Sequence, residues 1–234
     1  MNSLKRLSKT GIEYGDYGWS FYPGCLHKQQ GICPVTRCWA EGMSKRRDGV
    51  VEKAQGLTEK LDSFHHPHLI PERLLAPLSH KKPSVILVNF MGDLFGDWVD
   101  PEMRVVRGVP GVYSVEMSLK QRVFATIRQC PQHTFLFLTK RPENYKKWGT
   151  FPANAWVGAT AWDVESLNTA CHYLALTEAK NRWLSIEPLL KRIDLTWFKT
   201  GKINWLVIGA QTQPTIMPKI EWVKEIVKAA DKAG

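Results

Sequence analysis

Three of the five cysteines fall in one stretch, Gly24-Cys25-Leu26-His27 through Cys33 to Cys38-Trp39, with the spacing C-x7-C-x4-C. Three thiolates from a single loop can hold a metal ion or an iron–sulfur cluster while one coordination position stays open for chemistry. His27 in the same loop offers a competing Cys3His zinc set of Cys25, His27, Cys33 and Cys38, although Cys25 and His27 are closer than zinc ligands usually are. From spacing alone, zinc and a cluster stand even. Cys130 and Cys171 are isolated in helical patterns and read as small buried apolar residues. The other metal-type cluster, His65-His66-Pro67-His68, reads as an exposed loop, because Pro67 breaks any helix that would align the rings.

Such a loop needs a frame, and the rest of the chain supplies strand and helix patterns in alternation. Ser84 to Phe90 is a continuous apolar, β-branched run, the pattern of a strand buried on both faces, and it leads into Met91-Gly92-Asp93. His133 to Leu138 leads into Thr139-Lys140-Arg141-Pro142, and Ala155 to Gly158 into Ala159-Thr160-Ala161-Trp162-Asp163. Arg182 to Ile186 leads into Glu187-Pro188, and Ile203 to Ile208 into Gly209-Ala210-Gln211-Thr212. Helical patterns cover Trp39 to Arg47 (ending near Gly49), Ser118 to Gln129, Glu143 to Trp148, Val164 to Lys180 and Ile220 to Lys232, with an irregular insertion at Gly108 to Val112. Counting Trp19 to Tyr22 as a first strand, this predicts six β/α units in one domain over residues 1–234, with residues 1–18 as an irregular lead-in. The expected fold is α/β, a partial (β/α)6 TIM-like barrel with parallel strands and its site at their C-terminal ends. A doubly wound sheet is the alternative, without a G-x-G-x-x-G fingerprint or a P-loop to support it.

Polar groups therefore converge on one rim. Asp93 ends a strand, where α/β folds keep functional carboxylates, or else it caps a helix. Lys140 and Arg141 follow the next strand, where a solvated loop pair with Glu187 as its buried partner is the plain reading. Thr160 and Asp163 follow the next strand, although Asp163 also fits a helix cap. Gly209 and Ala210 end the last strand.

The chain has 234 residues, a formal net charge of +10 and ten tryptophans. Lys and Arg neutralise phosphates and aromatic rings stack on bases, so nucleic acid is the acidic partner this composition suggests; core tryptophans and a solubilising charge are the plain alternative. No apolar run is long enough to span a bilayer, and the basic N-terminus lacks the apolar stretch of a signal peptide. The expectation is a cytoplasmic protein without membrane contact, whose clustered cysteines bind metal rather than pair.

Several of these strings together resemble the phage Gp37/Gp68-like family, a three-cysteine-motif group that looks like a branch of the radical SAM superfamily. The matching stretches are the cysteine loop with Trp39-Ala40-Glu41, Asp93-Leu94-Phe95, Leu138-Thr139-Lys140-Arg141-Pro142, Trp156-Val157-Gly158, Leu184-Ser185-Ile186-Glu187-Pro188-Leu189-Leu190 and Trp205 to Gly209. Two features depart from the family pattern: four residues rather than two separate Cys33 from Cys38, and Gly209-Ala210-Gln211-Thr212-Gln213 replaces a Gly-Gly-Glu-Ser-Gly string. Relatives also tend to continue into another strand beyond the last helix. The resemblance implies a barrel of the radical SAM type in which Cys25, Cys33 and Cys38 ligate a [4Fe-4S] cluster whose fourth iron chelates S-adenosylmethionine. It implies that Asp93 receives the cofactor ammonium, Thr160 and Asp163 the ribose, Gly209 and Ala210 the adenine, and that Lys140, Arg141 and Glu187 serve the cofactor carboxylate or the substrate. An external electron donor and a separately encoded protein partner go with it. The expected reaction is radical modification or repair of a nucleic acid or nucleotide; the alternative is a non-catalytic, zinc-stapled module that binds nucleic acid or a partner.

Overall fold

The structure is a computed structural model that describes residues 6–55, 61–105, 116–193, 195, 203–212 and 214–233. The insertion at Gly108 to Val112 lies outside the described residues. Seven strands form the main sheet: β1 (Ser8–Lys9), β2 (Tyr17–Trp19), β3 (Val85–Val88), β4 (Thr134–Thr139), β5 (Ala155–Thr160), β6 (Asn181–Ile186) and β7 (Trp205–Ile208). Their spatial order is the order of the sequence. β1 pairs antiparallel with β2, and every pairing from β2 to β7 is parallel. The result is a mixed α/β fold around a mostly parallel sheet. Among the described residues the order never reverses, so their sheet shows no topological switch point of the doubly wound kind.

Among the described residues four α-helices accompany the sheet: α1 (Trp39–Gln55), α2 (Leu119–Arg128), α3 (Val164–Leu176) and α4 (Ile220–Ala233). Period-2 alternation sorts the strand side chains. Ile86, Val88, Phe135, Phe137, Val157, Leu184 and Ile186 join Val123, Ile127, Leu167, Leu174 and Ile226 of α2, α3 and α4 in one core. Leu87, Leu136 and Trp183 face the other way, where Tyr14, Trp156 and Trp205 pack with them. No helix among the described residues is long and apolar enough to cross a membrane.

Four sequence expectations are corrected. The first strand is Tyr17–Trp19 rather than Trp19 to Tyr22, because the Phe21 and Tyr22 N–H groups leave the ladder and donate to Asn89 Oδ1 at 2.9 and 3.0 Å. Helix α1 runs past Gly49 to Gln55: buried Asp48 accepts from the Ser63 hydroxyl and N–H (2.7 and 3.0 Å), and this fastening outweighs the ~1 kcal/mol a helical glycine costs. The lead-in is not wholly irregular, since β1 pairs in the sheet and the Tyr14 ring lies edge-on to Trp183 and Trp205 at 5.9 and 5.5 Å. Residues 142–147 form a 3-10 rather than an α-helical turn.

Candidate functional site

The cysteine loop starts where two backbones nearly touch. Gly24 forms a parallel bridge with Gly92, just beyond the end of β3, and its φ of +104° is one a side chain rarely tolerates. A Cβ on Gly24 would lie 2.7 Å from Pro67 Cα, and one on Gly92 would lie 2.5 Å from the Gly24 carbonyl oxygen. Only glycine at both places lets the loop ride directly on the rim. Cys25 N–H then donates to the Phe64 carbonyl (2.9 Å), which ties the loop to the histidine-rich segment.

His27 fixes the loop from within. Its ring is 2% exposed, and Nε2 lies 2.7 Å from Asp93 Oδ2. The same oxygen accepts from the Thr139 hydroxyl (2.9 Å) and Lys140 N–H (3.0 Å), while Oδ1 accepts from Phe95 N–H (2.9 Å). Asp93 thus joins the loop to the ends of β3 and β4. Burial alone would raise its carboxyl, but the His27 hydrogen bond and charge, with the two backbone donors, hold it below the usual carboxylate range. Nδ1 of His27 is buried with no hydrogen-bond partner among the described residues, and Trp98 lies edge-on to the ring at 4.9 Å.

The thiols of Cys25, Cys33 and Cys38 are all unpaired by disulfides. Burial pushes the Cys25 thiol up to about 12, and the Asp93 charge and Cys38 add to this. The His27 backbone N–H and the nearby Lys140 ammonium pull the other way. A metal here would have to displace the Cys25 proton. Among the described residues, no group of three or more His, Cys, Asp or Glu stands close enough together to hold a metal ion.

The remaining rim residues divide by what already occupies them. Asp93 stands at its strand end, but its oxygens accept from four protein donors, where the resemblance implies a free carboxylate for the cofactor ammonium. Asp163 caps α3, its Oδ1 accepting from Ser166 N–H at 2.9 Å. Arg141 pairs with Asp97 (2.8 Å) and Glu143 (3.1 Å). Glu187 does not pair with Lys140 or Arg141; it accepts from the Tyr14 hydroxyl (3.0 Å) and the Ser185 hydroxyl (3.1 Å), because the N-terminal segment reaches it first. Gly209 lies against the Glu187 carboxylate, and Ala210 follows it, half-buried. Thr160 is 4% exposed, with its hydroxyl unpartnered among the described residues. Lys140 is half-buried beside Cys25.

His65, His66 and His68 lie in a bent loop, each Nδ1 engaged by a local oxygen: Asp62 Oδ2, the Asp62 carbonyl and the His66 carbonyl. A cavity of about 310 Å³ opens at the N-terminal ends of β2 and β3 between Lys9, Asp16, Tyr17 and Ser84, away from the cysteine loop. Sequence reasoning missed Tyr14, Thr139 and Asp97 as partners of the rim. His27 did carry a signal, a histidine between clustered cysteines.

Fold and site together define a mixed α/β protein whose cysteine-bearing loop sits on the C-terminal rim of a mostly parallel sheet. The chain belongs to the family described as "protein of unknown function (DUF5131)", whose model matches residues 9–109 and 111–234. No curated protein and no solved structure matches it.

Proposed function

We propose that the chain is a radical-SAM-like iron–sulfur enzyme. In this reading the sheet is the partial (β/α)6 barrel of that class, and Cys25, Cys33 and Cys38 hold a [4Fe-4S] cluster that binds S-adenosylmethionine. One observation carries it: a loop with three free thiols is fastened through His27 and Asp93 to the C-terminal rim of parallel strands running in sequence order. The donors match such a cluster in type and number. They are not gathered around a common point, so loading has to draw residues 25–38 together. Cys25, Cys33 and Cys38 would hold the cluster, which would supply the electron for reductive cleavage of S-adenosylmethionine.

The chain's own residues bind and orient. The Lys140 ammonium, beside Cys25, would offset the charge that thiolates bring to the rim and would meet a ligand carboxylate. The Thr160 hydroxyl, buried and without a partner among the described residues, would meet a ligand polar group. Glu187, held by Tyr14 and Ser185, presents a fixed acceptor near Gly209. Arg141 and Asp163 serve the fold around the site instead. The substrate class is nucleic acid or nucleotide, supported by the +10 charge and by exposed Lys45, Arg46 and Arg47 on α1, which begins one residue after Cys38. An external electron donor and a protein partner belong to this proposal.

Anaerobic reconstitution with iron and sulfide tests it. The expected product is brown, carries about four irons and changes its reduced EPR signal when S-adenosylmethionine is added. Stoichiometric zinc without colour would make the chain a metal-stapled binding module instead. The triple variant Cys25→Ala, Cys33→Ala, Cys38→Ala separates the two by circular dichroism: the enzyme keeps its fold and loses its colour, whereas a zinc-stapled module unfolds.

A further inference from the structure

We propose that Glu187 and Thr160 read the edge of an amino-bearing base, so that the rim takes a nucleotide of cytosine or adenine rather than one of uracil or hypoxanthine. The inference rests on the nucleotide reading of the substrate and needs no metal centre. It starts from a charge without a counterion. Glu187 is half-buried, and no Lys, Arg or His among the described residues forms an ion pair with it. Its Oε2 accepts from the Tyr14 and Ser185 hydroxyls at 3.0 and 3.1 Å, which fix the carboxylate, while Oε1 meets no donor among the described residues. Oε1 lies over Gly209, where any Cβ would collide with it, so only glycine there leaves the carboxylate in place. A carboxylate drawn partly out of water and left short of donors accepts strongly from a ligand N–H.

A second group on the same face also lacks a partner. Thr160 pairs in register with Ser185, so their side chains share the inner face of the sheet. Thr160 is 4% exposed, and its hydroxyl has no partner among the described residues. Buried polar atoms are rarely left so. Together the two groups offer one acceptor that cannot donate and one hydroxyl that can. Cytosine and adenine present the complement, an amine beside a ring nitrogen that carries a lone pair. Uracil and hypoxanthine reverse both: a carbonyl oxygen, which the carboxylate repels, stands beside a ring N–H.

The surroundings suit a base in shape as well. Tyr14 and Trp205 stand edge-on at 5.5 Å and are half-buried, as are Phe90 and Leu138 on the same face. Half-open apolar side chains beside a few fixed polar groups are the usual lining of a site for a flat ring. β4 and β6 are two strand spacings apart, about 10 Å, which is the reach of a nucleotide from its amino group to its 5′-phosphate. Lys140 follows β4, half-buried, and its ammonium pairs with no carboxylate among the described residues, so it is the rim's group for that phosphate.

The test is isothermal titration calorimetry of the full chain with two pairs of nucleotides that exchange an amine for a carbonyl: cytidine against uridine 5′-monophosphate, and adenosine against inosine 5′-monophosphate. The amino member is expected to bind about 10-fold tighter, the value of one hydrogen bond to a charged group. Glu187→Gln is expected to bring the ratio to about 1, because its amide accepts from an amine and donates to a carbonyl equally well. A preference in one pair alone keeps the inference and sets the ring size. Equal binding within both pairs overturns it and leaves the nucleotide reading standing. A preference that Glu187→Gln leaves unchanged overturns it as well, and makes Glu187 an anchor for Tyr14 only. If Glu187→Gln does not fold, the wild-type ratios decide alone. Binding of none of the four nucleotides overturns the nucleotide reading and this inference with it.

Discussion

Asp93 shows how a site residue can be visible in a sequence while its role is not. Its place at a strand end is written in the run from Ser84 to Phe90. Its partner His27 lies 66 residues earlier, and nothing local announces the pairing. Asp93→Ala leaves His27, the Thr139 hydroxyl and two backbone N–H groups buried without their acceptor, at a cost of about 3–5 kcal/mol in urea unfolding at neutral pH. The sign with pH follows from the depressed carboxyl. A group whose folded pKa lies below its unfolded value stabilises above the unfolded pKa, here about 4, and loses that contribution as pH falls through the folded one. The gap between wild type and Asp93→Ala is therefore expected to narrow below about pH 4; a constant gap there would mean that the carboxylate charge contributes nothing. Asp163 is the simpler case, because Asp163-Val-Glu-Ser166 already reads as a cap. Both Asp163 and Ser166 bond back across the first turn of α3. Asp163→Ala is expected to cost about 1 kcal/mol, measured by thermal unfolding.

At the scale of elements, β3 to β7 lie within a few residues of their apolar runs, since each run is long enough to outweigh local preference. The first strand and the lead-in were not legible. Tyr17–Trp19 is only three residues long and is a strand because β3 is beside it, and Tyr14 has no sequence signal for its contact with Glu187. One close packing between elements joins β5 to β6. The Trp183 indole is fully buried, crosses Gly158 and donates Nε1–H to the Phe137 carbonyl of β4 at 3.0 Å. A methyl at position 158 would overlap that indole, which has no exposed side to move toward. Gly158→Ala is expected to cost about 1–3 kcal/mol in urea unfolding, with a shift in tryptophan emission as the ring is displaced. An unchanged midpoint and spectrum would mean that β6 can slide to make room.

At the scale of the molecule, the choice between sequential and doubly wound strand order was closed to sequence reading, because both give the same alternation of strands and helices. Register decides it. Thr139 pairs with Ala159, Thr160 with Ser185 and Ser185 with Val207, so each new strand adds to the same edge and the strand ends share one rim. The whole-molecule property the sequence did state is charge, and it makes the last prediction. Helix α1 carries Lys45, Arg46 and Arg47 on its exposed surface, with Trp39 (39% exposed) at its start beside the cysteine loop. If this face tracks a nucleic-acid backbone, each phosphate neutralised releases counterions, and log K falls linearly with log salt at a slope of about −0.9 per duplex contact. Arg46→Ala should weaken binding alike for unrelated sequences and reduce the slope by about 1. Fluorescence anisotropy with labelled duplexes at several salt concentrations measures both quantities. An affinity that stays flat as salt rises would remove phosphate contact as the driver and, with it, the charge argument for a nucleic-acid substrate. A steep slope that Arg46→Ala leaves unchanged would keep the substrate class and move the contact surface off α1.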